Sequence, residues 1–187
     1  MMAYLERSNG TGKTKMKDIA KKNLFWLLII AAVLFTFWDL PKTFYQQDEW
    51  QALGHNFTLG LGPVLSANPF LLFFGELRPL STIVGYLFLG IYKFTVLPAA
   101  IFAISFQIIN SLLTFHLVNK ITKNKLIALL SSLFLAVNGV SHQAVTWISA
   151  IGTLPAITFI LISMIMYFKY FEKPKGKFLL IGFISTI

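Results

Sequence analysis

Long apolar runs divided by short basic segments constrain this chain more than any other feature. Residues 24–38 form an unbroken uncharged run of fifteen. Further apolar runs occupy residues 80–94, 99–119, 126–137 and 145–168, and a last one begins at Phe178. Each has helical spacing and few breakers, and such a run must be covered by a core or by lipid. A core is the poorer answer. Of 187 residues, 56% are hydrophobic and only 12% are charged, against about 25% charged in a soluble domain. Nineteen Phe and four Trp suit lipid-facing and interfacial positions. The expected fold is therefore an all-α, polytopic transmembrane helical bundle.

Several other classes are excluded or disfavoured. The formal charge of +9 would suit a nucleic-acid partner, but the bases cluster at the ends of apolar runs and not on one face. No cysteine is present, so there is no disulfide framework, thiol nucleophile or cysteine metal site. The three His are scattered in sequence. "GTGKT" (residues 10–14) looks like the end of a phosphate-binding loop. The full motif needs a glycine where Arg7 stands, and a buried strand where "MMAYLE" stands. The first apolar run is followed by "DLPKTFYQQDE" and no small-residue cleavage pattern, so it reads as a retained helix and not as a signal peptide.

Charge sets a topology. Residues 1–22 net +4, "KITKNK" (120–125) +3 and "KYFEKPKGK" (169–177) +3, whereas residues 39–78 net −2. Positive segments favour the cytoplasmic side. The chain thus divides into a cytoplasmic basic tail, 1–22, and a membrane region, 23–187, with an outer loop at 39–78. An odd number of spans must then separate loop 39–78 from segment 120–125, yet two apolar runs lie between. The weaker, 80–94, carries Gly85, Gly90 and Lys93. It is expected to pack as an interfacial or half-inserted helix. Run 99–119 then crosses inward and run 126–137 returns, placing the polar loop 138–146 on the outer side. The last run has no terminating cap, so the chain is expected to be the N-terminal part of a longer protein.

Three groups of residues are candidates for chemistry. Asp48 and Glu49 are adjacent acids in a chain with only seven Asp and Glu. Trp50, Leu53 and Phe57 fall at helical spacing behind them, which suggests a short amphipathic helix on the membrane surface. A carboxylate partly shielded there gains proton affinity and can act as a general base; the alternative is two solvated loop charges. Arg78 is the only arginine beyond Arg7. Its planar fork suits phosphate oxygens, although it serves equally as an interfacial anchor or a partner for Glu76. His142 sits in "NGVSHQAVTWIS", where polar residues including Gln143 and Thr146 divide two apolar runs and can hydrogen-bond a sugar or a phosphate, or simply cap a helix turn. Gln107, Asn110 and Thr114 share one face of run 99–119. Helix-to-helix hydrogen bonding is the favoured reading of these.

In order, "YQQDEW", "LRPLSTIVGYLFLGIYKF" and "HQAVTWISAIGTLPAITF" resemble segments of membrane glycosyltransferases of the GT-C fold, within the protein O-mannosyltransferase superfamily. The resemblance implies sugar transfer from a polyprenyl-phosphate donor to a hydroxyl-bearing acceptor at the outer face of a bilayer. It implies Asp48 as catalytic base with Glu49 beside it, Arg78 holding the lipid phosphate, and His142, Gln143 and Trp147 lining the site. A divalent metal is neither required nor ruled out by these residues, and no metal ligands are assigned. Relatives carry "HPxHxEAVxWISGRxDLL" where this chain has Asn138, Ser141, Gln143, Ile151 and Thr153 at the divergent polar positions. Gln143 keeps hydrogen-bonding capacity but cannot take a proton. A transporter or flippase of lipid-linked sugars and a non-catalytic membrane scaffold are the alternative functions. The first of these calls for ionisable residues inside the spans, and the sequence has almost none.

Overall fold

A computed structural model describes residues 23–43, 49–50, 54, 84, 87–92, 95–147 and 150–185. Every regular element among them is helical. Helix α1 and the 3-10 turn that closes it span Asn23–Lys42. After a π-helical turn at Leu87–Tyr92 come α2 (Leu97–Thr122), α3 (Lys125–Val137), α4 (Gly139–Thr146), α5 (Thr153–Glu172) and α6 (Gly176–Ile184).

Local chemistry explains the boundaries. Pro98 stands in the first turn of α2, where its missing N–H costs nothing. The helix ends at Lys123, which has φ 55 and donates its N–H to Asn119 O. Asn124 then caps α3, its Oδ1 accepting from the N–H groups of Leu126 and Ile127 at 2.9 and 3.2 Å. Helix α5 stops at Lys173, extended before Pro174, because proline disfavours a helical residue ahead of it.

Among the described residues, three segments are long and apolar enough to cross a membrane: Asn23–Lys42, Leu97–Thr122 and Thr153–Glu172. Their outer surfaces agree, since Leu27, Phe35, Ile101, Ile109, Phe159 and Ile160 are all exposed. In water such a surface would aggregate; in lipid it is the expected exterior. The small residues Ala99, Ala100, Ala103 and Ala136 lie inside, buried with Val33, Phe37 and Leu154, where they let backbones approach closely.

Side-chain bonds fix the directions of the helices. Gln107 Nε2 donates to Leu135 O at 2.8 Å, and Ser132 Oγ donates to Ser111 O at 2.7 Å. As one partner advances along α2 the other retreats along α3, so these helices are antiparallel. Asn110 Nδ2 donates to Leu154 O at 3.0 Å, and Lys120 Nζ meets Glu172 Oε2 at 2.8 Å. Here both partners advance together, so α2 and α5 are parallel. Ser163 Oγ bonds Gly182 O at 2.9 Å and turns α6 back along α5. Phe25 packs on Phe115 with ring centroids 6.2 Å apart, while Val33 and Phe37 share a core cluster with Ala99 and Ala100. Helix α1 therefore runs antiparallel to α2.

One end of the bundle thus holds the start of α1 and the turns 120–125 and 169–177. The other holds the end of α1, the π turn and the start of α2. The chain leaves α1 and enters α2 at the same end, so segment 43–96 makes no net crossing. This satisfies the parity that the charges demand. Of run 80–94, the described residues are Val84 and the π turn, and Val84 and Phe88 are buried in the core cluster at that end.

Four sequence expectations are corrected. Residues 138–146 are not a loop: Gly139–Thr146 is helical, because its apolar side buries Val145 and half-buries Ala144. Run 126–137 returns along α2 but does not reach the opposite end by itself, and α4 completes the return. Its helix has 13 residues, about 20 Å at 1.5 Å each, short of the roughly 30 Å of hydrocarbon, and it breaks at Asn138, extended at ψ 134. Run 145–168 is not one helix, since α5 begins only at Thr153 behind a buried Gly152. Finally, the loop after α1 begins past Lys42 and not at Asp39, because the 3-10 turn buries Leu40 under the bundle.

Single cysteines test this sidedness in a chain that has none of its own. In sealed vesicles, Lys123→Cys and Lys175→Cys are expected to react with an impermeant maleimide from one and the same side, and Asp39→Cys from the opposite side. Labelling of Lys123→Cys and Lys175→Cys from different sides would contradict the parallel pairing of α2 and α5.

Candidate functional site

The end of the bundle away from the lysine-bearing turns gathers the described residues that sequence reasoning nominated. Phe37, in the last turn of α1, is buried. Its ring faces His142 of α4 with centroids 5.5 Å apart and planes tilted by 37°. Backbone bonds fix α4 from both sides: His142 N–H donates to Asn138 O, and Trp147 N–H to Gln143 O, each at 3.1 Å. Thr146 Oγ1 donates to His142 O at 2.9 Å and lies 3.4 Å from His142 Nδ1. The imidazole is thus supported on its apolar face by Phe37 and at one ring nitrogen by Thr146. His142 and Gln143 remain exposed. An imidazole and a carboxamide presented in this way can hydrogen-bond a hydroxyl-rich or phosphate-bearing ligand.

Glu49 belongs to a helical pair with Trp50 and is 1% exposed, whereas Trp50 is open. It stands six residues past Thr43, the exit of the turn that closes α1. Six residues reach at most about 22 Å, so Glu49 lies near this end and not at the basic one. A carboxylate so deeply enclosed is engaged by the protein, which fits a positioning role better than that of a solvated loop charge. Asp48 and Arg78 lie outside the described residues.

Trp147 is half-buried at the elbow between α4 and α5. Its indole Nε1 is closed off from solvent and has no hydrogen-bond partner among the described residues. An enclosed donor without an acceptor costs free energy.

Farther inside the bundle, the polar face of α2 is occupied with packing. Asn110 Oδ1 accepts from Thr158 Oγ1 at 2.6 Å while Asn110 Nδ2 donates to Leu154 O. Gln107 is occupied by α3. These bonds tie α2 to α3 and α5, in agreement with the reading of Gln107 and Asn110 as helix-to-helix bonds. His116 is exposed toward the basic end of α2, on the far side of the bundle from His142.

Two contributors went unnoticed in the sequence. Phe37 reads there as one more lipid-facing aromatic, and nothing local marks it as the support for His142. Thr158 reads as a neutral residue in an apolar run; its distance from Asn110 along the chain hides the pairing. No group of three or more potential metal ligands occurs among the described residues. No family model matches the chain, and no curated protein and no solved structure matches it.

Replacing Trp147 by its isostere 3-benzothienylalanine removes the N–H that lacks a partner among the described residues and keeps the bicyclic bulk. Thermal or denaturant unfolding in detergent is expected to give an unchanged stability, or a gain of up to about 2 kcal/mol. A loss of more than about 1 kcal/mol would mean that the N–H has an acceptor.

Proposed function

We propose that the chain belongs to a GT-C-type membrane glycosyltransferase, which moves a sugar from a polyprenyl-phosphate donor to a hydroxyl acceptor on the non-cytoplasmic face of a bilayer. The observation that carries this reading is the order of the three motifs "YQQDEW", "LRPL" and "HQAVTWIS", joined to a bundle in which enclosed Glu49 and exposed His142 belong to the end opposite the lysines. Gln107 and Asn110, taken up by helix-to-helix bonds, support chemistry at the membrane surface over passage through the bundle.

In this mechanism Asp48 takes the proton from the acceptor hydroxyl. The oxygen attacks the anomeric carbon as the bond from that carbon to the phosphate oxygen breaks. The electron pair leaves on the polyprenyl phosphate, and the anomeric configuration inverts. Arg78 holds the phosphate through its planar fork, which matches two phosphate oxygens at once. Glu49, enclosed and next to the base in sequence, anchors the chain at that point. His142 and Gln143 on α4 hydrogen-bond the sugar, and Trp147 packs behind them. Because the Gln143 carboxamide is not a base at neutral pH, it takes no part in the proton transfer, which is assigned to Asp48.

Asp48→Asn is expected to lower transfer from a radiolabelled polyprenyl-phosphate sugar by about 10²-fold or more, with expression and thermal stability unchanged. Full activity in that variant would remove Asp48 from the role of base.

A further inference from the structure

We propose that the lysine-bearing end of the bundle is a binding surface for the phosphate groups of anionic bilayer lipids. This goes beyond sugar transfer and rests only on the bundle being embedded in a bilayer.

The ion pair between Lys120 and Glu172 clamps the end of α2 to the end of α5. It brings the turns 120–125 and 169–177 side by side, and Lys123 and Lys173 both lie within electrostatic reach of Glu172. Lys123, Lys125, Lys173, Lys175 and Lys177 are all exposed. The single acid in the two turns, Glu172, is already occupied by Lys120, so the exposed positive charge there is not cancelled locally.

The surroundings of these lysines select the partner. Phe171 is 80% exposed beside Tyr170, and Ile121 and Leu126 are exposed next to Lys123 and Lys125. Aromatic and aliphatic side chains at the same level as a ring of cations suit the boundary between acyl chains and headgroups. A nucleic-acid surface would carry its lysines away from such greasy neighbours. The charges also sit at the ends of lipid-length helices, so the first phosphates they meet are those of the headgroups.

Lys123 adds an independent indication. It occupies the left-handed region at φ 55, the position after a helix where glycine or asparagine is ordinarily found. A long cation is kept there at a conformational cost, as expected if its charge is used.

The test uses the full chain in nanodiscs of mixed phosphatidylcholine and phosphatidylglycerol. After mild detergent extraction, the lipid retained on the protein is compared with the starting mixture by mass spectrometry. Several-fold enrichment of phosphatidylglycerol is expected, weakening at high salt. It should fall toward the starting ratio when Lys123→Gly, Lys173→Gln, Lys175→Gln and Lys177→Gln are combined. Lys123→Gly alone relieves the left-handed strain, so it is expected to keep or raise the thermal midpoint while lowering the enrichment. It keeps the result readable if the combined variant fails to fold. Equal enrichment in native and variant proteins would overturn the proposal, as would displacement of the retained lipid by a duplex oligonucleotide. Sugar transfer does not enter this readout.

Discussion

The amide of Asn110 is the point on which the bundle turns. It sits buried near the middle of α2, donates to the backbone of α5 at Leu154 and accepts from Thr158. In lipid the hydrophobic effect does not draw helices together, because acyl chains are as apolar as leucine. Close packing and the few internal hydrogen bonds must decide which faces meet. Asn110 spends both ends of its amide on α5 while Gln107, one turn away, spends its own on α3. Helix α2 is thereby the central element, with α3 and α5 fixed to it in opposite directions.

The sidedness of the molecule follows from those directions. Parallel α2 and α5 must end together, which brings Lys120 to Glu172 and lines up the two basic turns. Antiparallel α1 must begin at that same end. The opposite end then collects the close of α1, the π turn, α4 and the elbow before α5. The segment 43–96 begins and ends at that one surface and so makes no net crossing. The enclosed carboxylate of Glu49 and the exposed pair His142 and Gln143 are products of this arrangement.

Much of this was legible in the charges and the apolar runs. Net charge of the loops gave the correct grouping of ends, and spacing gave the facing of Gln107 and Asn110. The boundaries were less legible. Residues 138–146 look like a loop because they are polar, but helix formation there is decided by what Val145 can bury against, which is tertiary. Run 145–168 looks continuous because no charge interrupts it, although Gly152 and the elbow at Trp147 end one helix and begin another. Pairings such as Phe37 with His142 and Asn110 with Thr158 join distant stretches, and no local pattern encodes them. The depth of Glu49 was hidden for the same reason: beside Asp48 it reads as one of two equivalent acids.

The most direct test of this account is a double-mutant cycle between Asn110→Ala and Thr158→Val, read by reversible unfolding in detergent micelles. If the hydrogen bond between the two side chains fixes α2 against α5, the cycle should give a favourable coupling of about 0.5–1.5 kcal/mol, in the range found for buried bonds between membrane helices. Strictly additive effects of the two substitutions would contradict it.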